Sequence, residues 1–165
     1  MSKRIFLTAI VLISYSNLSF ANNNILVADA GHQGHHGHHT NNDAVGVPGK
    51  SSEVSRTVAV AASDDMKFNP NHIVVKKNET VKFVVTNKGQ TDHEFVLGNA
   101  EELKKHADMM RSNPNMKHEE NNQVTLKPGE TKELVWKFTK AGEIDFACLL
   151  PAHFELGMKG KIKSE

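Results

Sequence analysis

The stretch Thr80-Val81-Lys82-Phe83-Val84-Val85-Thr86 decides the class of fold. Val81, Phe83 and Val85 alternate with Thr80, Lys82, Val84 and Thr86, the period of two that marks a half-buried strand. Upstream, Val54, Arg56, Val58 and Val60 lie on one side of a similar run, with Ser55, Thr57, Ala59 and Ala61 on the other. Met66-Lys67-Phe68 sends Met66 and Phe68 to the core before Pro70 ends that strand, and Ile73-Val74-Val75 leads into a Lys76-Lys77-Asn78-Glu79 turn. Downstream, Phe95 and Leu97 resume after a polar break from Asn87 to Thr91. Val124-Thr125-Leu126, a Lys127-Pro128-Gly129-Glu130 turn, Leu134 to Phe138, Ile144 to Cys148 and a closing run from Met158 to Lys163 follow. About seven or eight such runs between turn residues predict an all-β, two-layer sandwich. One segment differs. Ala100 to Ser112 carries Leu103, Ala107 and Met110 at helical spacing and ends before Pro114, which predicts one helix inserted between strands.

The sandwich occupies 54–165; two segments precede it. Residues 1–21 read as a secretory signal: Lys3 and Arg4, an apolar run from Ile5 to Ile13, then Ser19-Phe20-Ala21. The run falls well short of the ~20 residues of a spanning helix, although an uncleaved anchor is the competing reading. Cleavage would leave no membrane segment and place the mature chain in the periplasm. Residues 22–53 are rich in Gly, His, Asn, Ser and Asp, and read as a disordered arm. Five of the chain's ten histidines, His32, His35, His36, His38 and His39, fall in this arm. Spaced by glycine, they suit a weak secondary metal site, or else a solvated spacer.

The 165 residues carry 20 Lys+Arg against 19 Asp+Glu, and removing Lys3 and Arg4 turns the net charge from +1 to −1. A nucleic-acid partner would require a clustered basic surplus. The single cysteine excludes an internal disulfide, a two-thiolate copper centre and any four-cysteine zinc or iron–sulfur site. The Asp64-Asp65 and Glu119-Glu120 pairs read as solvated faces. Met66 and Met110 read as core, and Met109 or Met116 as exposed; with His118 in the insert, a soft secondary metal site there is the lesser reading.

The chemistry concentrates in Cys148-Leu149-Leu150-Pro151-Ala152-His153-Phe154-Glu155-Leu156-Gly157-Met158. Thiolate, imidazole and thioether recur at intervals of five, and Pro151 and Gly157 bend the chain so that all three can face one centre. That donor set suits copper, which must be held as both Cu(I) and Cu(II). A trigonal site needs a second imidazole, and His93, opening the run His93-Glu94-Phe95-Val96-Leu97, is the candidate. Each residue alone has a plainer reading: Cys148 as an inert buried thiol, His93 and His153 as hydrogen-bonded core, Met158 as packing. Their joint spacing favours the metal.

The strand pattern, the upstream histidine and the Cys-x4-His-x4-Met ending resemble the cupredoxins, the small blue copper proteins, over about residues 54 to 165. The His-Glu-Phe-Val-Leu-Gly segment and the Met-containing helical insert are most similar to the cupredoxin domain of periplasmic copper-resistance proteins. The resemblance implies a Greek-key β-sandwich holding one type 1 copper ion through His93, Cys148 and His153, with Met158 axial. Glu94 stands where plastocyanins and azurins commonly carry Asn, so the hydrogen bonding around the thiolate is left open. Two functions follow from the resemblance: periplasmic copper resistance with one-electron redox capability, or an azurin- or plastocyanin-like electron carrier serving a periplasmic enzyme. Four protein donors leave no open position for a substrate, which argues against an enzyme. A redox partner would dock near His153, where Pro151, Ala152, Phe154 and Leu156 offer an apolar patch.

Overall fold

A chain that alternates apolar and polar side chains can shelter the apolar set only by pressing two sheet faces together. The computed structural model, which describes residues 46–113 and 120–165, does this. The first sheet runs in the order β1 (Val47–Pro48), β8 (Thr131–Lys137), β5 (Thr80–Asn87), β2 (Arg56–Ser63) and β3 (Lys67–Asn69). The second runs β4 (His72–Val75), β10 (Lys159–Ser164), β9 (Gly142–Ala147), β6 (His93–Gly98) and β7 (Gln123–Leu126). β2 pairs in parallel with β5, and β4 with β10, while the remaining pairs are antiparallel.

The inward faces carry the residues that the alternation marks. Val81, Phe83 and Val85 of β5 are fully buried, as are Phe95 and Leu97 of β6 and Trp136 of β8. Phe95 lies 4.9 Å from Phe146 and 5.4 Å from Phe83 between ring centroids, and Phe68 meets both Phe95 and Phe146 edge-on. Such ring pairs contribute about 0.5–1.5 kcal/mol each beyond the area they bury. Phe68 and Phe83 of the first sheet thereby meet Phe95 and Phe146 of the second, and the rings tie the two sheets together.

The inserted helix α1 spans Ala100–Ser112, the range that the spacing predicts. Leu103, Ala107 and Met110 are its buried residues, and they pack against Val96, Ala147 and Leu149 on the outer side of the second sheet. The Asn99 side chain caps it by accepting from the Glu102 amide at 2.9 Å, and the Glu102 carboxylate accepts from the Asn99 amide in return. Met109 is exposed.

Two expectations change. Among the described residues there are ten strands rather than about eight: the short run ahead of Pro70 forms β3 as read, and β1 is a strand that no run in the sequence marks. The ordered chain also reaches back into the stretch expected to be a disordered arm. Val47 and Pro48 pair with Lys137 and Trp136, and Ser51–Glu53 forms a single 3-10 turn. A two-residue strand has no period to read; only its partner reveals it. Residues 1–21, the histidines at 32, 35, 36, 38 and 39, and Met116, His118 and Glu119 of the insert lie outside the described residues. Among the described residues, no helix is long and apolar enough to cross a membrane.

Candidate metal centre

Three of the four predicted donors share a loop because β9 and β10 are adjacent antiparallel strands and residues 148–158 join them. The loop closes on itself where the Cys148 amide donates to the Met158 carbonyl at 3.0 Å. Inside it, His153 N–H reaches the Leu150 carbonyl and Met158 N–H the His153 carbonyl, each at 3.0 Å. Gly157 turns the chain with φ 96°, a left-handed conformation that favours glycine. His93 enters from β6, which pairs with β9 through Val96 and Ala147, so the start of β6 faces the loop.

The structure brings His93, Cys148 and His153 together. One donor atom from each, two imidazole nitrogens and the thiol sulfur, lie within 4.8 Å of one another. Nδ1 of His93 stands 3.3 Å from Nδ1 of His153, and Cys148 Sγ 3.2 Å from the same His153 nitrogen. Cys148, His93 and Met158 are fully buried, while His153 is part-exposed. The Met158 side chain belongs to the sandwich core. Burial pushes the Cys148 thiol up to about 12. Burial also lowers the His153 pKa, helped by His93 and opposed by Asp64, a shift that favours the neutral imidazole a metal requires.

The sulfur has a hydrogen bond that does not depend on the side chain at position 94. The Glu94 amide donates to Cys148 Sγ at 3.3 Å, so the backbone supplies the contact left open at this position. The Glu94 carboxylate is itself buried and accepts from Thr125 Oγ1 at 3.4 Å.

Asp64 corrects the reading of the Asp64-Asp65 pair as a solvated face. Asp65 does sit at the surface beside Ser63 and Lys67. Asp64 instead reaches across from the β2–β3 turn to His93, whose Nε2 lies 3.1 Å from its Oδ1. It also accepts from the Gln90 amide at 2.6 Å and from Thr91 Oγ1 at 2.8 Å. These donors, the Gln90 amide foremost, draw its pKa down to about 2. No local sequence pattern announces the role, since it depends on two loops at one end of the sandwich meeting in space.

The donor chemistry fits copper. Two nitrogens and one sulfur converge in a buried site, and the sulfur already receives an amide hydrogen bond. Soft sulfur with imidazole is the set that serves both copper oxidation states. A neutral buried thiol is costly to ionise alone, and a bound cation reverses that cost.

The family model for copper binding proteins of the plastocyanin/azurin family matches residues 53–165. The chain belongs to this family. Copper is the cofactor of this cupredoxin, and His93, Cys148 and His153, with Met158 nearby, form its candidate type 1 site. The chain is 50% identical over 117 residues to the copper-resistant cuproprotein CopI of Rubrivivax gelatinosus, covering 71% of each chain. It is 42% identical over 120 residues to the protein of the same name from Vibrio cholerae serotype O1, covering 72% of this chain and 71% of that one. Among solved structures, the reduced auracyanin of Roseiflexus castenholzii superposes with a TM-score of 0.59 at 20% identity. That match covers 68% of this chain and 98% of the auracyanin, and it shows the shared sandwich fold.

Proposed function

We propose that His93, Cys148 and His153 bind one type 1 copper ion, with Met158 as the axial donor, in a periplasmic protein that protects against copper. The convergence of two imidazole nitrogens and one sulfur within 4.8 Å carries this reading. The relatives named for copper resistance support the biological half of it. When bound, the metal supplies one-electron exchange. The chain's own residues do the rest: the Glu94 amide holds the sulfur, the buried strands exclude water, and the closed loop fixes His153 before any metal arrives. With four protein donors the site leaves no place for a substrate, so the protein is a binding and redox protein rather than an enzyme.

A second reading, an electron carrier, draws on the surface beside His153. Leu156 is 66% exposed, with Pro151 and Ala152 also at the surface, so an apolar partner face could approach the part-exposed imidazole without desolvating charge. Replacing Leu156 with Asp should slow exchange with a redox partner if this surface is the port.

The test of the centre is optical and paramagnetic spectroscopy of the purified chain with one equivalent of Cu(II), beside Cys148→Ser. A sulfur-to-copper charge-transfer band present in the first and lost in the second is expected; no band in the wild type sinks the proposal. Growth of a deletion strain on graded copper, complemented with a chain lacking residues 31–40, separates the two readings. Protection requires the histidine arm to matter, whereas electron carriage does not.

A further inference from the structure

We infer that Asp64 is the positioning residue that fixes His93 as a metal ligand, by holding its ring so that the nitrogen facing the site is bare. This inference rests on the copper reading. The His93 ring is fully buried and its two nitrogens have different neighbours. Nε2 points at Asp64 Oδ1 across 3.1 Å, and Nδ1 points at the His153 ring across 3.3 Å. An ionised carboxylate can only accept, so the shared hydrogen belongs to Nε2. Nδ1 is then left with a lone pair, directed at the place where Cys148 and His153 also converge. The other tautomer would set an N–H into the donor triangle and a lone pair against the carboxylate.

The carboxylate is not there by chance of rotamer. The 87–93 loop is built around it: Gln90 N–H donates to Oδ2, while Thr91 donates to Oδ1 through both its amide and its hydroxyl. Asn87 holds that loop in turn, through its side-chain amide to the Thr91 carbonyl at 2.7 Å and by accepting from the Gly89 amide at 2.8 Å. Gly89 completes the seat, since a Cβ there would stand 2.0 Å from Asp64 Oδ1. A carboxylate behind a ligating histidine orients the ring and raises its basicity, and losing one typically costs roughly 10- to 100-fold in metal affinity.

The test uses the full chain as wild type, Asp64→Ala, Asp64→Asn and Thr91→Val. In the metal-free protein, nitrogen–proton correlation spectra of the histidine rings should show His93 protonated on Nε2. That state should become a mixture of tautomers in Asp64→Ala, return in Asp64→Asn, which keeps an acceptor oxygen, and persist in Thr91→Val. Cu(II) affinity, measured by competition with a chelator, should fall roughly 10- to 100-fold in Asp64→Ala and recover in large part in Asp64→Asn. A wild-type His93 protonated on Nδ1 overturns the inference, as does an Asp64→Ala variant with unchanged tautomer and affinity. Should Asp64→Ala fail to fold, the wild-type tautomer and the Asp64→Asn affinity decide the matter. A wild type that shows no thiolate band with Cu(II) defeats the copper reading instead, and the metal-free spectra still decide whether Asp64 sets the tautomer.

Discussion

Arg111, in the last turn of α1, donates to Glu155 on the ligand loop at 2.7 Å. The insert is thus tied to the loop that carries His153. The pair is solvent-exposed, and Arg111 also engages Asp108 at 2.8 Å, so the charge contact alone is weak. The stronger tie is apolar, because Phe154 packs against the cluster of Val96, Leu103, Ala107, Met110, Ala147 and Leu149. Arg111→Ala should therefore change unfolding free energy by no more than about 0.5 kcal/mol. Phe154→Ala should cost about 1–3 kcal/mol, less than a fully buried phenylalanine, and should speed release of copper. Chemical denaturation and chelator-driven release rates measure the two effects.

Gly160 on β10 pairs with Phe146 on β9, and the ring lies over its backbone. A Cβ at this position would fall 2.2 Å from Phe146 Cζ and 2.5 Å from the Asn71 carbonyl oxygen. Since Phe146 is fully buried among other rings, neither neighbour can yield cheaply. Gly160→Ala should destabilise the fold by about 1–3 kcal/mol, read from the midpoint of denaturant unfolding.

Asp145 on β9 is the carboxylate whose pKa burial raises, with Lys161 opposing and Glu143 reinforcing the rise. The folded state then holds the proton more tightly than the unfolded chain does. The ionised group is a cost above the folded pKa, and that cost disappears as pH falls below the ordinary value of 3.8. Asp145→Asn should accordingly raise the melting temperature at pH 7, with the gain shrinking towards zero in acid. A gain that is the same at both ends of a pH series of thermal melts contradicts this account.

The Glu94 amide, not its side chain, serves the sulfur. Glu94→Gln should leave the sulfur-to-copper band in place, whereas Cys148→Ser should abolish it. A Glu94→Gln variant without the band, by optical spectroscopy, would assign the carboxylate a role at the thiolate that the backbone contact does not provide.

Much of this arrangement could be read from residue order alone. Period-two runs such as Val81, Phe83 and Val85 declare their buried face locally, and the Leu103, Ala107 and Met110 spacing sets the helix. The Cys-x4-His-x4-Met loop is legible because its donors lie on one short connection. What stays hidden is held by contacts between distant segments. Asp64 meets His93 only after two loops share an end of the sandwich, and the donor to Cys148 Sγ is a backbone amide with no signature of its own. The Asn99 and Glu102 capping box was open to inspection, since Asn followed by Glu three residues on is its usual signature.

Among the described residues, β1 is the outer strand of the first sheet, and it contains Pro48, which pairs with Trp136 on its inner side. Proline brings no amide hydrogen to an edge, so a neighbouring molecule that tried to extend the sheet there would find the ladder interrupted. Among the described residues, Pro48 thereby blunts that edge of the first sheet against strand-by-strand extension.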